Sequence, residues 1–409
     1  MMLMWPSPRT SSSDDSLLVD KEFVLPEICN EKALPQITMM VGTNNRSTHI
    51  YYLRSCRRKR LTEIESLPDE VMFDVLVRLE AQDIYDSARL VCSKWYHMIH
   101  THTFIHAHLH HSTYGLLFQT KSTFQDSLFM VVGESGRVEI SKSRYKPRCP
   151  VPTSCNGLLL ELQEESNSNF YVSNPITRQM FALPRFVGYT RNYHVFGIAY
   201  AAATMGYKAV RLLYRSKKSL CFILTIRVDK SWRTVGMEFE PPYVVPLNTE
   251  GFMHWYDVTN NEVLTMNVET EIITKTSGPI PRVVYRNRGD IYLSTGRYLS
   301  MLRPCGEFCW EVWEMKPKID YRWRKVCDIS LEAHKCSTFQ GFGSKQYELL
   351  IPTGWLKYLE VLLVFGVSYP TRSHVLVFNL LSQEIVTIDI PCASTNYNIL
   401  VHKNSLVWF

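Results

Sequence analysis

Between residues 68 and 95 the apolar positions recur at spacings of three and four, the period of one face of an α-helix. Val71, Val75, Leu76 and Leu79 form one such stripe, and Ile84, Ala88, Val91 and Trp95 form a second. Pro68 suits a first helical position, and Asp69 and Glu70 put negative charge at the positive end of the helix dipole, so a helix is predicted over about 68–79. Asp83 is placed to cap a second helix that carries the second stripe. Two helices this short cannot bury so much apolar surface between themselves, so the pattern implies a partner surface.

Beyond about residue 112 the grammar changes. Short alternating apolar runs are separated by turn signals such as Asn156-Gly157, Asn174-Pro175, Asn260-Asn261 and Gly278-Pro279. Five segments read as strand, turn, strand: Phe170–Leu183, Cys221–Val235, Val263–Lys275, Trp310–Val326 and His374–Ile388. Their starts lie roughly 40 to 65 residues apart, bracketing the ~50-residue period of kelch-type propeller blades. No Gly-, Pro- or Ser-rich linker divides this stretch, so 112–409 is read as one β-propeller-like domain of repeated antiparallel blades. The fold class is therefore α followed by all-β.

Residues 1–60 show no sustained period and include Ser11, Ser12, Ser13, Asp14 and Asp15, which reads as a disordered arm. Arg54, Arg57, Arg58, Lys59 and Arg60 crowd together at its end, as a solvated linker or a nuclear import signal would. The formal net charge of +6 over 409 residues is mild, and does not point to a nucleic-acid partner. Eleven cysteines with no C-x-x-C pair argue for free thiols in a reducing compartment. Pro6 and Pro8 interrupt any signal-peptide core, and the apolar run Val361–Val367 falls far short of the ~20 residues a membrane-spanning helix needs. The expectation is a soluble protein of the nucleus or cytoplasm.

The helical stretch resembles an F-box. The resemblance runs through Leu67-Pro68-Asp69-Glu70-Val71, Val75-Leu76-Val77-Arg78-Leu79, Asp83-Ile84 and Arg89-Leu90-Val91-Cys92-Ser93-Lys94-Trp95, and delimits a helical domain with its connector over 61–111. Glu80 follows Leu79 where such sequences often have Pro, a departure expected to loosen the first interhelical turn. The resemblance implies docking onto a Skp-type adaptor, and through it onto a cullin and a RING subunit. The adaptor-binding positions it implies are Leu67, Pro68, Val75, Leu76, Leu79, Ile84, Val91, Cys92 and Trp95.

The β region is similar to the F-box-associated domain of plant F-box proteins. Ser154-Cys155-Asn156-Gly157-Leu158-Leu159 and Val172-Ser173-Asn174-Pro175-Ile176-Thr177-Arg178 carry the likeness. Gly197-Ile198-Ala199-Tyr200, Ser231-Trp232-Arg233-Thr234, Gly251-Phe252-Met253-His254-Trp255 and Trp323-Arg324-Lys325-Val326 continue it. Taken singly, these pieces read as core packing and turn chemistry, with target-selecting residues expected on loops at one end of the blades.

Candidate chemistry is sparse. Seven histidines fall from His97 to His111, and alternation of His106, His108 and His110 would put them on one face of a strand. No Cys, Asp or Glu lies among them, so the stretch reads as a polar connector, with a metal-using propeller enzyme as a remote alternative. Cys305, Cys309, Cys327 and Cys336 lack the two tight pairs of a zinc module and read as buried free thiols. No phosphate loop, nucleophile elbow or metalloprotease helix is present. The sequence thus offers no catalytic residue, no metal ligand and no cofactor. It predicts the substrate-recognition subunit of a cullin-RING ubiquitin ligase, holding an unknown protein target. The alternative is a kelch-like scaffold that never engages a ligase.

Overall fold

The computed structural model describes residues 67–120, 126–133, 135–163, 169–186, 194–213, 220–236, 244–257, 260–279, 289–332, 349–367, 374–388 and 397–408, and the backbone of 37–38 and 53–54. The chain divides into two compact units, Met1–Leu67 and Pro68–Phe409. In the first, Ile37–Thr38 pairs antiparallel with Leu53–Arg54. The rest of the arm expected to be disordered, and the basic run beyond Arg54, lie outside the described residues.

Four helices open the second unit: α1 (Asp69–Leu76), α2 (Ala81–Asp86), α3 (Ser93–Ile99) and α4 (His102–His111). Asp69 and Glu70 occupy the first turn of α1, as the dipole argument requires. The single second helix expected from the stripe Ile84 to Trp95 is broken. Ala88–Leu90 forms a 3-10 turn, and extended backbone at Cys92 restarts the chain as α3. Asp83 sits inside the first turn of α2, and Glu80 stands at its N-cap.

The turn between α1 and α2 is not loose. Leu79 N–H donates to Leu76 O at 3.1 Å, and Nε2 of buried His108 donates to Leu79 O at 3.0 Å. A side chain from α4 thus holds the position where a Pro was missing. The histidine stretch is helical rather than a polar connector: His97 lies in α3, His100 follows it, and His102–His111 form α4, which Thr101 caps by accepting from Phe104 N–H. Helical spacing places His102, His106 and His110 on one face and turns His108 inward, so the alternation meant for a strand has no counterpart.

Six four-stranded antiparallel sheets follow among the described residues. From the innermost strand outward, blade 1 is Tyr397–His402, Gly115–Thr120, Ser127–Val132 and Val138–Lys142. Blade 2 is Thr153–Cys155, Leu158–Gln163, Asn169–Ser173 and Met180–Ala182. Blade 3 is His194–Ala201, Gly206–Leu213, Leu220–Thr225 and Arg233–Val235, and blade 4 is Leu247–Thr249, Phe252–Asp257, Glu262–Asn267 and Ile273–Ser277. Blade 5 is Ile291–Ser294, Leu299–Pro304, Cys309–Met315 and Trp323–Ser330, and blade 6 is Leu349–Lys357, Val361–Val367, His374–Asn379 and Glu384–Ile388.

The five strand-turn-strand segments read from the sequence are the outer hairpins of blades 2 to 6. The outer hairpin of blade 1, Ser127–Lys142, was not read, and the blade's innermost strand comes from the far end of the chain, with Leu400 opposite Leu117 and Val401 opposite Leu116. That pairing closes the ring by joining the two ends of the propeller in one blade.

Apolar clusters fill the spaces between blades, for instance Trp310, Leu362 and Phe378 between blades 5 and 6, and Val210, Trp255 and Met266 between blades 3 and 4. Polar staples join them as well. Asn248 Nδ2 donates to Ser154 O at 2.9 Å and Ile198 O at 2.7 Å, and Lys208 Nζ bridges to Glu271 at 2.7 Å. Of the four cysteines expected to be buried, Cys305 is exposed on the hairpin between Pro304 and Cys309, because that loop ends a blade instead of facing a neighbour, Cys309 and Cys327 are half-buried, and Cys336 lies outside the described residues.

Candidate functional site: the helical face

The helices show one sealed face and one open face. Inward, Leu76, Ile84, Ala88, Ile99 and Phe104 pack with Ile176 of blade 2 and Leu406 of the C-terminal tail. Leu76 is 1% exposed and Ile84 0%, so these two predicted adaptor positions belong to the core. Leu76 is buried with Met72 on the inner side of α1, and the break near residue 88 turns the Ile84 stripe toward the propeller and the Val91 stripe away from it.

Outward, Val75, Leu79 and Val91 are 54%, 39% and 58% exposed, with Val71, Leu90 and Tyr96 beside them at 44%, 55% and 43%. An ion pair between Lys94 and Asp69 draws the start of α3 to the start of α1, which brings the Val71 and Val91 stretches to the same side. Pro68 is exposed too, and Leu67, at the end of the first unit, is exposed. Cys92 and Trp95 are half-buried, with Trp95 packed against the inner cluster. Val71, Leu90 and Tyr96 were not among the predicted adaptor positions but share this exposed stretch. Val71 was legible, lying four residues before Val75. Leu90 and Tyr96 were not, because they depend on where the second helix breaks.

The propeller holds this module through the side chains of two of its turns. Asn174 Oδ1 accepts from the N–H groups of Ile176 and Thr177, and its Nδ2 donates to Ser405 O at 3.1 Å and Val407 O at 2.6 Å. Tyr85 of α2 donates to Thr177 O at 2.8 Å, and Asp86 pairs with Arg144 at 2.5 Å. Asn156 and Gly157 take φ of +51° and +88°, the left-handed pair of a two-residue hairpin turn. A Cβ on Gly157 would collide with Ser405, whose Oγ donates to Asn156 O at 2.7 Å. The turn motifs read from the sequence therefore clamp the tail, and the tail carries Leu406 and Trp408 into the helices.

Elsewhere, the buried titratable groups serve packing. Burial holds His254 and His402 down to about 3, so both are neutral imidazoles, bonded respectively to Thr249 and Thr265 and to Ser154. His106 is lowered by burial and then by its neighbours His110 and His102. No group of three or more His, Cys, Asp or Glu able to hold a metal ion occurs among the described residues, and no helix there is long and apolar enough to cross a membrane.

The described residues thus form a short helical module with an exposed apolar stripe, packed through its inner face against a six-bladed propeller. Sequence comparison agrees: residues 64–112 match the F-box-like family and residues 118–351 match the F-box associated beta propeller domain. The chain belongs to the F-box-associated β-propeller family and carries an F-box, a module that generally binds Skp-type adaptors. It is 24% identical over 290 residues to F-box protein At5g49610 of Arabidopsis thaliana, covering 66% of this chain and 80% of that one. Among solved structures, TolB from Acinetobacter baumannii aligns at 7% identity and a TM-score of 0.39, covering 76% of this chain and 73% of its own. A nidogen/laminin complex aligns at 12% and 0.39, covering 71% and 99%.

Proposed function

We propose that the chain is the substrate-recognition subunit of a cullin-RING ubiquitin ligase, bound to a Skp-type adaptor through the outer face of α1 and the Leu90–Tyr96 stretch. The observation that carries this reading is the exposed stripe of Val71, Val75, Leu79, Leu90 and Val91. Exposed aliphatic side chains grouped on one small module suit the anchors that dominate interface energy. The alternative, a module that only caps its own propeller, accounts for the inner cluster with Ile176 and Leu406 but gives the outer stripe no role.

The helices lie over the blade end that carries the Asn156-Gly157 and Pro175–Gln179 turns. A protein target is then held at the opposite end, where the Cys305–Phe308 hairpin lies. In this reading the chain catalyses nothing itself. It raises the effective concentration of a target lysine near a charged ubiquitin carrier brought by the cullin and RING subunit.

Titration of the full chain with a purified Skp-type adaptor tests the docking face. Val75→Asp and Val91→Asp are expected to weaken binding at least ten-fold while leaving the thermal midpoint unchanged. Undiminished binding by both would defeat the assignment.

A further inference from the structure

The innermost strands surround a cavity of about 990 Å³ along the propeller axis, reached by Thr153–Cys155, Leu247–Thr249, Leu293, Thr353 and Tyr397–His402. Its wall is largely apolar, with Leu116, Val245, Leu247, Phe252 and Ile399 among the lining side chains, and α4 borders it through His106, Leu109 and His110. Lys403 also lines it and is only 7% exposed.

The Lys403 ammonium is unusual in this molecule. Buried Lys208 pairs with Glu271 at 2.7 Å, and buried Arg303 pairs with Asp290 at 2.8 Å. Lys403 has no carboxylate partner among the described residues. Its Nζ donates to Leu109 O at 3.1 Å and lies 4.1 Å from the centre of the Tyr114 ring. The C-terminal end of α4 offsets part of the cost of burying this charge. An ammonium has three protons to donate, however, and one carbonyl satisfies one of them. Burial pushes the group down to about 8, so at neutral pH it remains a cation with unmet demand for an acceptor.

We propose that the axial cavity binds a small amphipathic carboxylate, its anionic head on Lys403 and its apolar body along the channel wall. The volume lies in the range of small-molecule pockets, which combine apolar walls with a few fixed polar groups. One ammonium balances one negative charge, which favours a carboxylate over a phosphate dianion. Glu250 and Glu269 also line the cavity; Glu250 is engaged by Lys318 at 3.1 Å and Arg297 at 3.5 Å, and its attraction for Lys403, opposed by Arg297, is smaller than the effect of burial. The cavity and the outer helical stripe are separate surfaces, so either assignment can fail without the other.

The test is calorimetric titration of the full chain with 4-phenylbutyrate, its uncharged analogue 4-phenylbutanol and 4-phenylbutyl phosphate. The carboxylate is expected to bind at least ten-fold more tightly than the alcohol. Lys403→Met should erase that preference without weakening the alcohol, and Lys403→Arg should keep it. Should Lys403→Met fail to fold, Val245→Trp, at a position 48% exposed, narrows the channel and is expected to abolish binding of both the acid and the alcohol. Absence of binding, equal affinity for acid and alcohol, a preference that survives Lys403→Met, or binding unaffected by Val245→Trp would overturn the site. Tighter binding of the phosphate would overturn the carboxylate assignment.

Discussion

Asn174 uses one amide to set a turn and to hold a tail more than 200 residues away in sequence. Replacing it with Ala leaves two tail carbonyls and two backbone N–H groups short of partners in a buried setting. The expected loss is about 2–4 kcal/mol of stability, read from denaturant midpoints. Asn174→Asp keeps the acceptor for the turn but sets a carboxylate against Ser405 O and Val407 O, so it should not rescue. Histidines make a second residue-scale prediction. His254 and His402 titrate at about 3 in the folded chain and near 6.5 when unfolded. The unfolded state therefore binds more protons between those values, and stability present above pH 6.5 is lost as pH falls toward 3. Denaturant midpoints should drop between pH 7.5 and pH 5, and a His254→Gln variant that still folds should show a shallower drop.

At the scale of elements, the helices separate two roles that the sequence pattern had merged. Ile84 and Val91 looked like one stripe at helical spacing, yet one is fully buried and the other more than half exposed. The 3-10 turn between them makes the difference. Ile84→Ala is expected to cost ~2–4 kcal/mol because it opens a cavity beside Phe104 and Ile176. Val91→Asp is expected to change stability by no more than ~0.5 kcal/mol, as surface substitutions do. Thermal melts of the two variants beside adaptor titrations would distinguish a folding defect from a docking defect. If Val91→Asp unfolds the chain, the open face has been misassigned.

Over the whole molecule, closure depends on the last described strand. Tyr397–His402 supplies the innermost strand of blade 1, and residues 403–408 then run between the Asn156 and Asn174 turns and the helices. A chain ending at residue 396 loses both. It is expected to expose the inner edge of Gly115–Thr120 and to lose cooperative unfolding, seen as a broad transition and aggregation on heating. A chain ending at residue 402 keeps the strand but loses Leu406, and should retain propeller-like circular dichroism with a lower thermal midpoint. Equal midpoints for that truncation and the full chain would refute the clamp between tail and helices.

The outer hairpins of blades 2 to 6 and the existence of the helical module were legible in the sequence, because period and turn chemistry are local properties. Asn156-Gly157 and Asn174-Pro175 announced turns for the same reason: φ preference and side-chain capping act within a few residues. Other features needed contacts distant in sequence. Nothing local shows that Tyr397–His402 pairs with Gly115–Thr120, that the tail threads between two turns, or that Leu76 and Ile84 are covered by Ile176 and Leu406. Lys403 reads as an ordinary surface lysine until the ring closes around it. Burial, and with it the division between core and docking face, is set by which surfaces meet, and only the tertiary structure brings them together.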